Sequence, residues 1–409
     1  MNFNDNSLYN CLVNRDGERY SLFDLAIWKN GLAFKNINFS DCGVPVIKIA
    51  ELNNGIGGTT AYTNQSFQED VHLHKGDLLF SWSGNPDTSI DIFRFQLNEG
   101  WLNQHIFKVT PNEKLIDKDY FYFLMKFLKP IFTKIAKNKQ TTGLGHVTIG
   151  DIKQLNVVIP DMMNQRQIVS VLKPIDDKIT LNNAINCNLQ NQAQALFKSW
   201  FIDFEPFGGS APSEWCESTF GQIAVLKTDS WSPTKNPNEL IEHYSIPALD
   251  EQHYPVFETS SDIKSNKYII NSNSVMISKL NPDTKRIWRP LCITDNSVCS
   301  TEFIVFEARK KEHKDFVYSI LDSTPFLNYL CSHTTGSTNS RQRANPKSTL
   351  DYSLLLPPDT VVNDFCHIVT PIYDLINANI IENQELSKTR DILLPKLMTG
   401  EIDVSKLEL

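Results

Sequence analysis

At 409 residues the chain is long enough for two or three domains with ordinary hydrophobic cores. Hydrophobic residues at 41% beside 21% charged ones exclude a disordered chain, and no apolar run reaches the roughly 18 residues of a bilayer span. The formal charge of −8 argues against indiscriminate nucleic-acid binding, so any such activity has to come from local positive patches. The opening residues lack the basic start and apolar core of a secretion signal, and the eight cysteines are scattered without a CxxC pair. A reducing cytoplasm is therefore expected, with no membrane partner.

Residues 1–160 read as a mixed α/β unit. Short β-rich runs at 44–49, 77–82 and 105–109 are separated by Gly and Asn punctuation. A helix over 118–137 carries Tyr120, Phe121, Tyr122, Phe123, Phe127 and Phe132. A loop over 138–146 follows, then a strand over 155–159 closed by Pro160. From 163 to 204 the apolar residues fall on a heptad seam: Ile168, Leu172, Ile175, Ile179, Leu189, Ala193, Leu196 and Trp200. Alternating steps of four and three place them on one narrow helical stripe, interrupted only by Asn182 and Asn186. A Gly/Pro/Ser-rich connector at 205–213 leads into the second half.

That half repeats the order of the first. The run at 274–278 lies 197 residues after 77–81, and 303–306 matches 106–109 at the same distance. The strand at 353–356 ends at Pro357 as the earlier one ends at Pro160. A second heptad stripe runs through Phe365, Val369, Ile372, Ile376, Leu386, Leu393 and Leu397, with Asn379 and Asn383 at its middle and Arg390 breaking it. One offset that holds from strand to loop to helix is an internal duplication. Antiparallel pairing of the two stripes sets Asn182 opposite Asn383 and Asn186 opposite Asn379, each seam amide finding an amide partner that fixes register. Arg390 then faces Ile175 and is expected to snorkel outward. Pro174 and Pro371 are expected to kink or restart their helices. The expected fold is two α/β (α+β) domains in pseudo-twofold repeat, separated by two long antiparallel helices forming a coiled-coil spacer. The expected limits are 1–160, 161–205, 206–357 and 358–409.

The segments 102–109, 195–204 and 394–402 carry a family resemblance: LNQHIFKV, ALFKSWFIDF and LPKLMTGEI are similar to stretches of the specificity subunits of type I restriction–modification systems. The resemblance covers nearly the whole chain, including the alternation of domain and long helix. It implies two target-recognition domains, each reading half of a split site in double-stranded DNA. It also implies a complex with two modification (methyltransferase) subunits, and with restriction/translocase subunits in the full enzyme.

No catalytic apparatus is evident from the residues. An adenine methyltransferase needs a Gly-rich cofactor loop and an Asn/Asp-Pro-Pro-aromatic motif for a flipped base. Asn85-Pro86-Asp87-Thr88 and Asn281-Pro282-Asp283-Thr284 share only two letters with that motif and read as turns. No GxxxxGK[ST] phosphate loop occurs, and His72 and His74 read as surface residues rather than a metal site. No catalytic residue, cofactor or metal is expected. Two rivals stand beside the specificity subunit: a methyltransferase–specificity fusion, and a coiled-coil scaffold without sequence-specific DNA binding.

Positive charge gathers where the repeat places its loops. Residues 121–150 hold no Asp or Glu but include Lys126, Lys129, Lys134, Lys137 and Lys139, with His146 in the loop beyond. In the second half Lys279, Lys285, Arg286 and Arg289 form one cluster around Trp288, and Arg341, Arg343 and Lys347 another. Arg can grip guanine with two hydrogen bonds, whereas Lys meets phosphate as a point charge. The DNA-binding candidates are therefore Lys134, Lys137, Lys139, His146, Lys285, Arg286, Arg289, Arg341, Arg343 and Lys347. Phe197, Trp200, Phe201 and Phe204 exceed what one two-helix seam can bury, so they are expected to dock the modification subunits or the adjoining recognition domain. Helices about 45 Å long at ~1.5 Å per residue would hold the reading faces roughly one duplex turn apart, ~34 Å.

Overall fold

A computed structural model describes residues 7–140, 143–235, 237–335 and 342–406. Its internal contacts divide the chain into two units, 1–178 with 386–409, and 179–385. Each unit thus includes a piece of both long helices.

The first unit is built on an antiparallel sheet in the strand order 26–30, 106–111, 78–81, 91–94. Side chains alternate across such a sheet, and here both faces are buried. Leu78, Phe80, Phe107 and Val109 face the helix Lys118–Asn138, while Leu79 and Ile106 face a second sheet. Burying each such side chain stabilises the fold by about 1.5–3 kcal/mol. The helix starts where Asp117 accepts from the backbone N–H groups of Asp119 (2.9 Å) and Tyr120 (3.1 Å). Its six aromatics are all buried, which is why this helix forms the centre of the core. The second sheet has the order 62–63, 44–47, 99–102, 72–74, with 44–47 and 99–102 parallel. A separate antiparallel pair joins 18–21 to 156–159, remote in sequence.

The second unit repeats this plan. Its first sheet runs 224–227, 303–308, 274–278, 287–288, the same order at the same sequence offset. Val275, Ile277, Ile304 and Phe306 face the helical side, and Met276, Phe303 and Val305 face the other sheet. That sheet again contains one parallel pair, 240–244 with 297–300. The pair 216–219 with 353–356 completes the correspondence. This unit departs from the first in more than its helix: the second sheet carries a fifth strand, 230–231, beside 267–269. The single 21-residue helix of the first unit becomes two, Lys314–Leu321 and Thr324–Ser332. Ser323 caps the restart by accepting from Phe326 N–H at 3.4 Å, and Pro325 occupies the first turn, where its missing N–H costs nothing.

The long helices are Met162–Phe201 and Asp359–Thr399, each running through its proline without a restart. In the first unit Ile168 and Leu172 share a core with Leu394, Leu397 and Met398. In the second, Ala193 and Phe197 share one with Phe365, Val369 and Tyr373. Asn182 donates to Asn383 Oδ1 (2.9 Å) and Asn379 donates to Asn186 Oδ1 (2.8 Å). Four residues forward on one helix is four back on the other, so the helices are antiparallel. Asn383 donates in turn to Asn183 (2.8 Å), and Asn182 also reaches Glu382 (2.7 Å). Arg390 does not simply snorkel to solvent: it pairs with Asp176 across the seam and with its exposed neighbour Asp391, each at 2.9 Å.

Candidate nucleic-acid interface

At one edge of each unit the turn after the central strand meets the loop after the helical segment. In the first unit, Ser83-Gly84 pairs antiparallel with Gly145-His146. The loop is drawn in further by Val147 N–H donating to Trp82 C=O at 2.8 Å. Gly145 has no alternative here, since a Cβ would stand 2.4 Å from the Ala136 carbonyl oxygen. Thr133 holds the Asn-Pro-Asp turn by donating to Pro86 C=O at 3.2 Å. In the second unit, Asn281 N–H donates to Gln342 C=O (3.0 Å) and Ala344 N–H to Lys279 C=O (2.8 Å), while Thr334-Thr335 pairs with Arg343-Ala344. Thr141, Thr142 and Arg341, which the sequence places in these loops, lie outside the described residues.

The structure gives most of the candidate cations an internal carboxylate. Lys137 pairs with Asp87 of the turn (2.7 Å), and Lys139 with Asp151 (2.6 Å). Burial would raise the Asp151 pKa, but Lys139 and Thr148 together hold it below the usual value. In the second unit Lys285 pairs with Asp322 (2.6 Å), Arg286 takes Asp250 with two bonds (2.7 and 2.8 Å), and Arg343 takes Glu302 (3.1 and 3.2 Å). Arg289 is the extreme case. Its side chain is only 10% exposed and binds Asp315 (2.7 Å) and Asp374 (2.7 Å). Burial alone would lower its pKa; the two carboxylates raise it instead. Arg289 thereby fastens the helix Lys314–Leu321 to the long helix Asp359–Thr399. Lys126 and Lys129 are likewise committed to the buried Asp91, at 3.0 and 2.7 Å. Among the described residues, Lys134 and Lys347 are exposed with no carboxylate partner. His146 is half-buried on its short strand.

Residues 14–191 match the family described as the type I restriction modification DNA specificity domain. The type I restriction enzyme HindI specificity subunit of Haemophilus influenzae is 24% identical, over 81% of this chain and 87% of its own length. The MjaIX specificity subunit of Methanocaldococcus jannaschii is 25% identical over 75% of this chain and 73% of its own. Residues 14–191 thus carry a type I restriction–modification specificity domain, and the chain as a whole is similar to specificity subunits of such systems. The fold agrees: the crystal structure of a type I S subunit from M. genitalium superposes with a TM-score of 0.55 at 15% identity, covering 94% of this chain and 96% of that one. Among the described residues, no helix is long and apolar enough to cross a membrane.

The specificity-subunit fold also accounts for the aromatic surplus on the first long helix. Phe201 stands 4.9 Å from both Phe316 and Phe365, Trp200 is 5.9 Å from Phe365, and Phe204 is 5.6 Å from Trp215. Phe197 is buried among the same rings. Of the two occupants expected for this face, the adjoining domain is the one in contact. Sequence reading missed a polar group beside the first unit's loop. Trp82 Nε1 donates to Asn30 (3.1 Å), its ring packs on His105 (5.6 Å), and Gln104 lies 3.3 Å from the His105 ring nitrogen. The polar triplet Asn103-Gln104-His105 between two strands was the available signal.

Proposed function

We infer that this chain is the DNA-sequence specificity subunit of a type I restriction–modification complex and is itself non-catalytic. Each unit reads one half of a bipartite site in double-stranded DNA, and the long helices separate the halves by a spacer that is not read. The chain works in the cytoplasm, assembling two modification subunits and the restriction/translocase subunits. The domain limits proposed are 1–160, 161–205, 206–357 and 358–409. The observation that carries this reading is the duplicated strand order, each copy ending in a different loop edge: Gly143–His146 in one, the Gln342–Ala344 side in the other. Two copies of one scaffold with unlike edges suit two unrelated half-sites. Reading falls to polar side chains at those edges, among them Gln104, His105 and His146, since amides and imidazoles carry the donors and acceptors that base edges need. Exposed Lys134 and Lys347 would meet phosphates.

Mapping the methylated positions in DNA from cells that carry this chain and its partners tests the reading. Two short unrelated sequences around a fixed spacer are expected. Replacing residues 214–357 by the corresponding unit of a relative should change one half-site alone. Inserting one helical turn into both long helices should lengthen the spacer and leave both half-sites as they are. A continuous natural site, or sequence-independent binding by the reconstituted complex, would sink it in favour of the scaffold. Methyl transfer by the purified chain alone would favour the fusion enzyme.

A further inference from the structure

The strand His72–His74 lies antiparallel to Glu99–Leu102 in the first unit's second sheet. Residues two apart on a strand project from one face, and the His72 and His74 rings stand with centroids 4.6 Å apart. The 3-10 turn Glu69–Val71 just before the strand carries Glu69 back over them. One Glu69 oxygen is 3.7 Å from His72 Nδ1 and the other 4.0 Å from His74 Nε2. Ligand atoms from all three residues lie within 4.8 Å of one another, the one such group of three or more His, Cys, Asp or Glu among the described residues.

His72 is held in place from several sides. Its ring stacks on Trp101 at 4.4 Å and 22°, and its backbone carbonyl accepts from Lys108 Nζ at 2.8 Å. Its Nε2 is sealed from water and makes no hydrogen bond, although a Glu99 oxygen stands 3.3 Å away. An imidazole whose one nitrogen faces a carboxylate while the other faces two further ligands is the arrangement in which a carboxylate orients a metal-binding histidine.

We propose that Glu69, His72 through Nδ1 and His74 through Nε2 bind a divalent transition-metal ion of the zinc class, with Glu99 orienting the His72 ring from its Nε2 side. Zinc bonds of ~2.0–2.2 Å to N and O place ligand atoms roughly 3.5 Å apart. Closing the site therefore moves only Glu69 and His74, whose side chains are 82% and 54% exposed, against the fixed His72. Two imidazoles favour zinc and its neighbours over magnesium or calcium, which take oxygen. Three protein ligands leave the fourth position to water. The bound ion fastens the 3-10 turn to the strand and stabilises this sheet by mass action. The duplicated scaffold does not require it. In the second unit the strand Lys267–Ile269 pairs with 297–300 in the same antiparallel sense, and at the 197-residue offset the positions of Glu69, His72 and His74 hold Asn266, Ile269 and Asn271. The site is a property of one half of the protein.

The test uses the full-length chain, stripped with a chelator and dialysed, then titrated with Zn2+ against a competing chelator and with Co2+ read by visible absorption. The expected result is one equivalent of Zn2+ bound and a cobalt spectrum without thiolate charge transfer. His74→Ala and Glu69→Gln should each abolish that equivalent, and Glu99→Gln should keep it at roughly 10–100-fold weaker affinity. Zn2+ should raise the thermal midpoint of the wild type and leave that of His74→Ala unchanged. The His74 backbone N–H is held by Asp77 (2.8 Å), so the alanine variant keeps its strand, and an unaltered metal-free unfolding curve checks this. No zinc uptake by the wild type overturns the proposal. So does an equivalent that survives His74→Ala at unchanged affinity, or a cobalt spectrum dominated by thiolate.

Discussion

The two units share a strand order and both pack apolar side chains against the long helices, but the second adds buried charge to that fastening. In the first, the fastening is apolar: Ile168, Leu172, Leu394 and Leu397 join the core built on the unbroken helix Lys118–Asn138. Its main buried polar member, Gln165, is fully engaged, donating to Pro160 C=O (2.8 Å) and accepting from Asp117 N–H (2.8 Å). In the second, the broken helix turns two carboxylates toward the long helices. Asp315 takes Arg289 and the Thr370 hydroxyl (2.7 Å); Asp322 takes Lys285, Gln190 (2.9 Å) and Gln194 (2.6 Å). Apolar seams accept substitutions of similar volume, whereas buried charges demand their partners. The same scaffold is thus tolerant at one clasp and exacting at the other.

Removing one side of the charged clasp should have the largest effect. Asp315→Ala leaves Arg289 buried with only the exposed Asp374, and should cost roughly 3–5 kcal/mol, concentrated in the second unit. Hydrogen exchange that resolves the two units would show residues 179–385 opening first. The double change Arg289→Met with Asp315→Leu should recover most of the loss, since a well-packed apolar pair can replace a buried ion pair. In the first unit, Leu172→Met should cost less than about 1.5 kcal/mol. Equal losses for Asp315→Ala and Leu172→Met would erase the contrast between the clasps.

The amide layers come next. Asn186→Leu leaves the buried Asn379 without its acceptor and should cost about 1–3 kcal/mol by chemical denaturation. Changing both to Leu should restore the stability and, in the assembled complex, blur the spacer length by loosening register. A double variant no more stable than the single one would mean that the amides do not act as a pair.

The contrast between the clasps also marks where sequence reasoning stops. Periodicity is local, so the heptad stripes, the seam asparagines, the constant offset and the aromatic helix at 118–137 were all open to it. Ion pairing is not local. Arg286 finds Asp250 36 residues away, Arg343 finds Glu302 at 41, and Arg390 finds Asp176 at 214. A cluster of cations therefore read as a free patch when folding had already neutralised most of it. The surplus of aromatics on the first long helix left two occupants open for the same reason, because Phe316 and Phe365 that cover it are remote in sequence. The broken helix was announced by Ser323-Thr324-Pro325, a cap followed by a first-turn proline, but one repeat suggested its twin.

Acid should separate the units in a smaller way. Burial would raise the Asp91 pKa, but Lys126 and Lys129 hold it below the ordinary carboxylate value. A carboxylate depressed in the folded state contributes stability that is present above its unfolded pKa and lost as pH falls through the folded one. The first unit should therefore lose stability below about pH 4, and Asp91→Asn should flatten that slope while costing about 1–2 kcal/mol at neutral pH, discounted because Lys129 is 38% exposed. An unchanged acid slope in Asp91→Asn would remove this carboxylate from the account.

The smallest effect falls on stability and the most specific on DNA. Along the helix 118–138, Lys137 and Lys139 are neutralised by Asp87 and Asp151, whereas Lys134 is exposed and has no carboxylate partner among the described residues. A phosphate contact needs a cation not already paired, because counterion release counts charge delivered to the backbone. Lys134→Ala should leave folding within about 0.5 kcal/mol of the wild type. In the reconstituted complex it should weaken binding by a similar factor for every target sequence and reduce the slope of log affinity against log salt by about 1. Lys139→Ala should do the reverse, freeing Asp151 and loosening the segment 148–154 with little change in the salt slope. Lys347→Ala provides the matched measurement in the second unit, where it should behave like Lys134→Ala. If Lys139→Ala lowers the salt slope more than Lys134→Ala does, internal pairing does not decide which cations meet DNA, and the patch read from sequence acts as a whole.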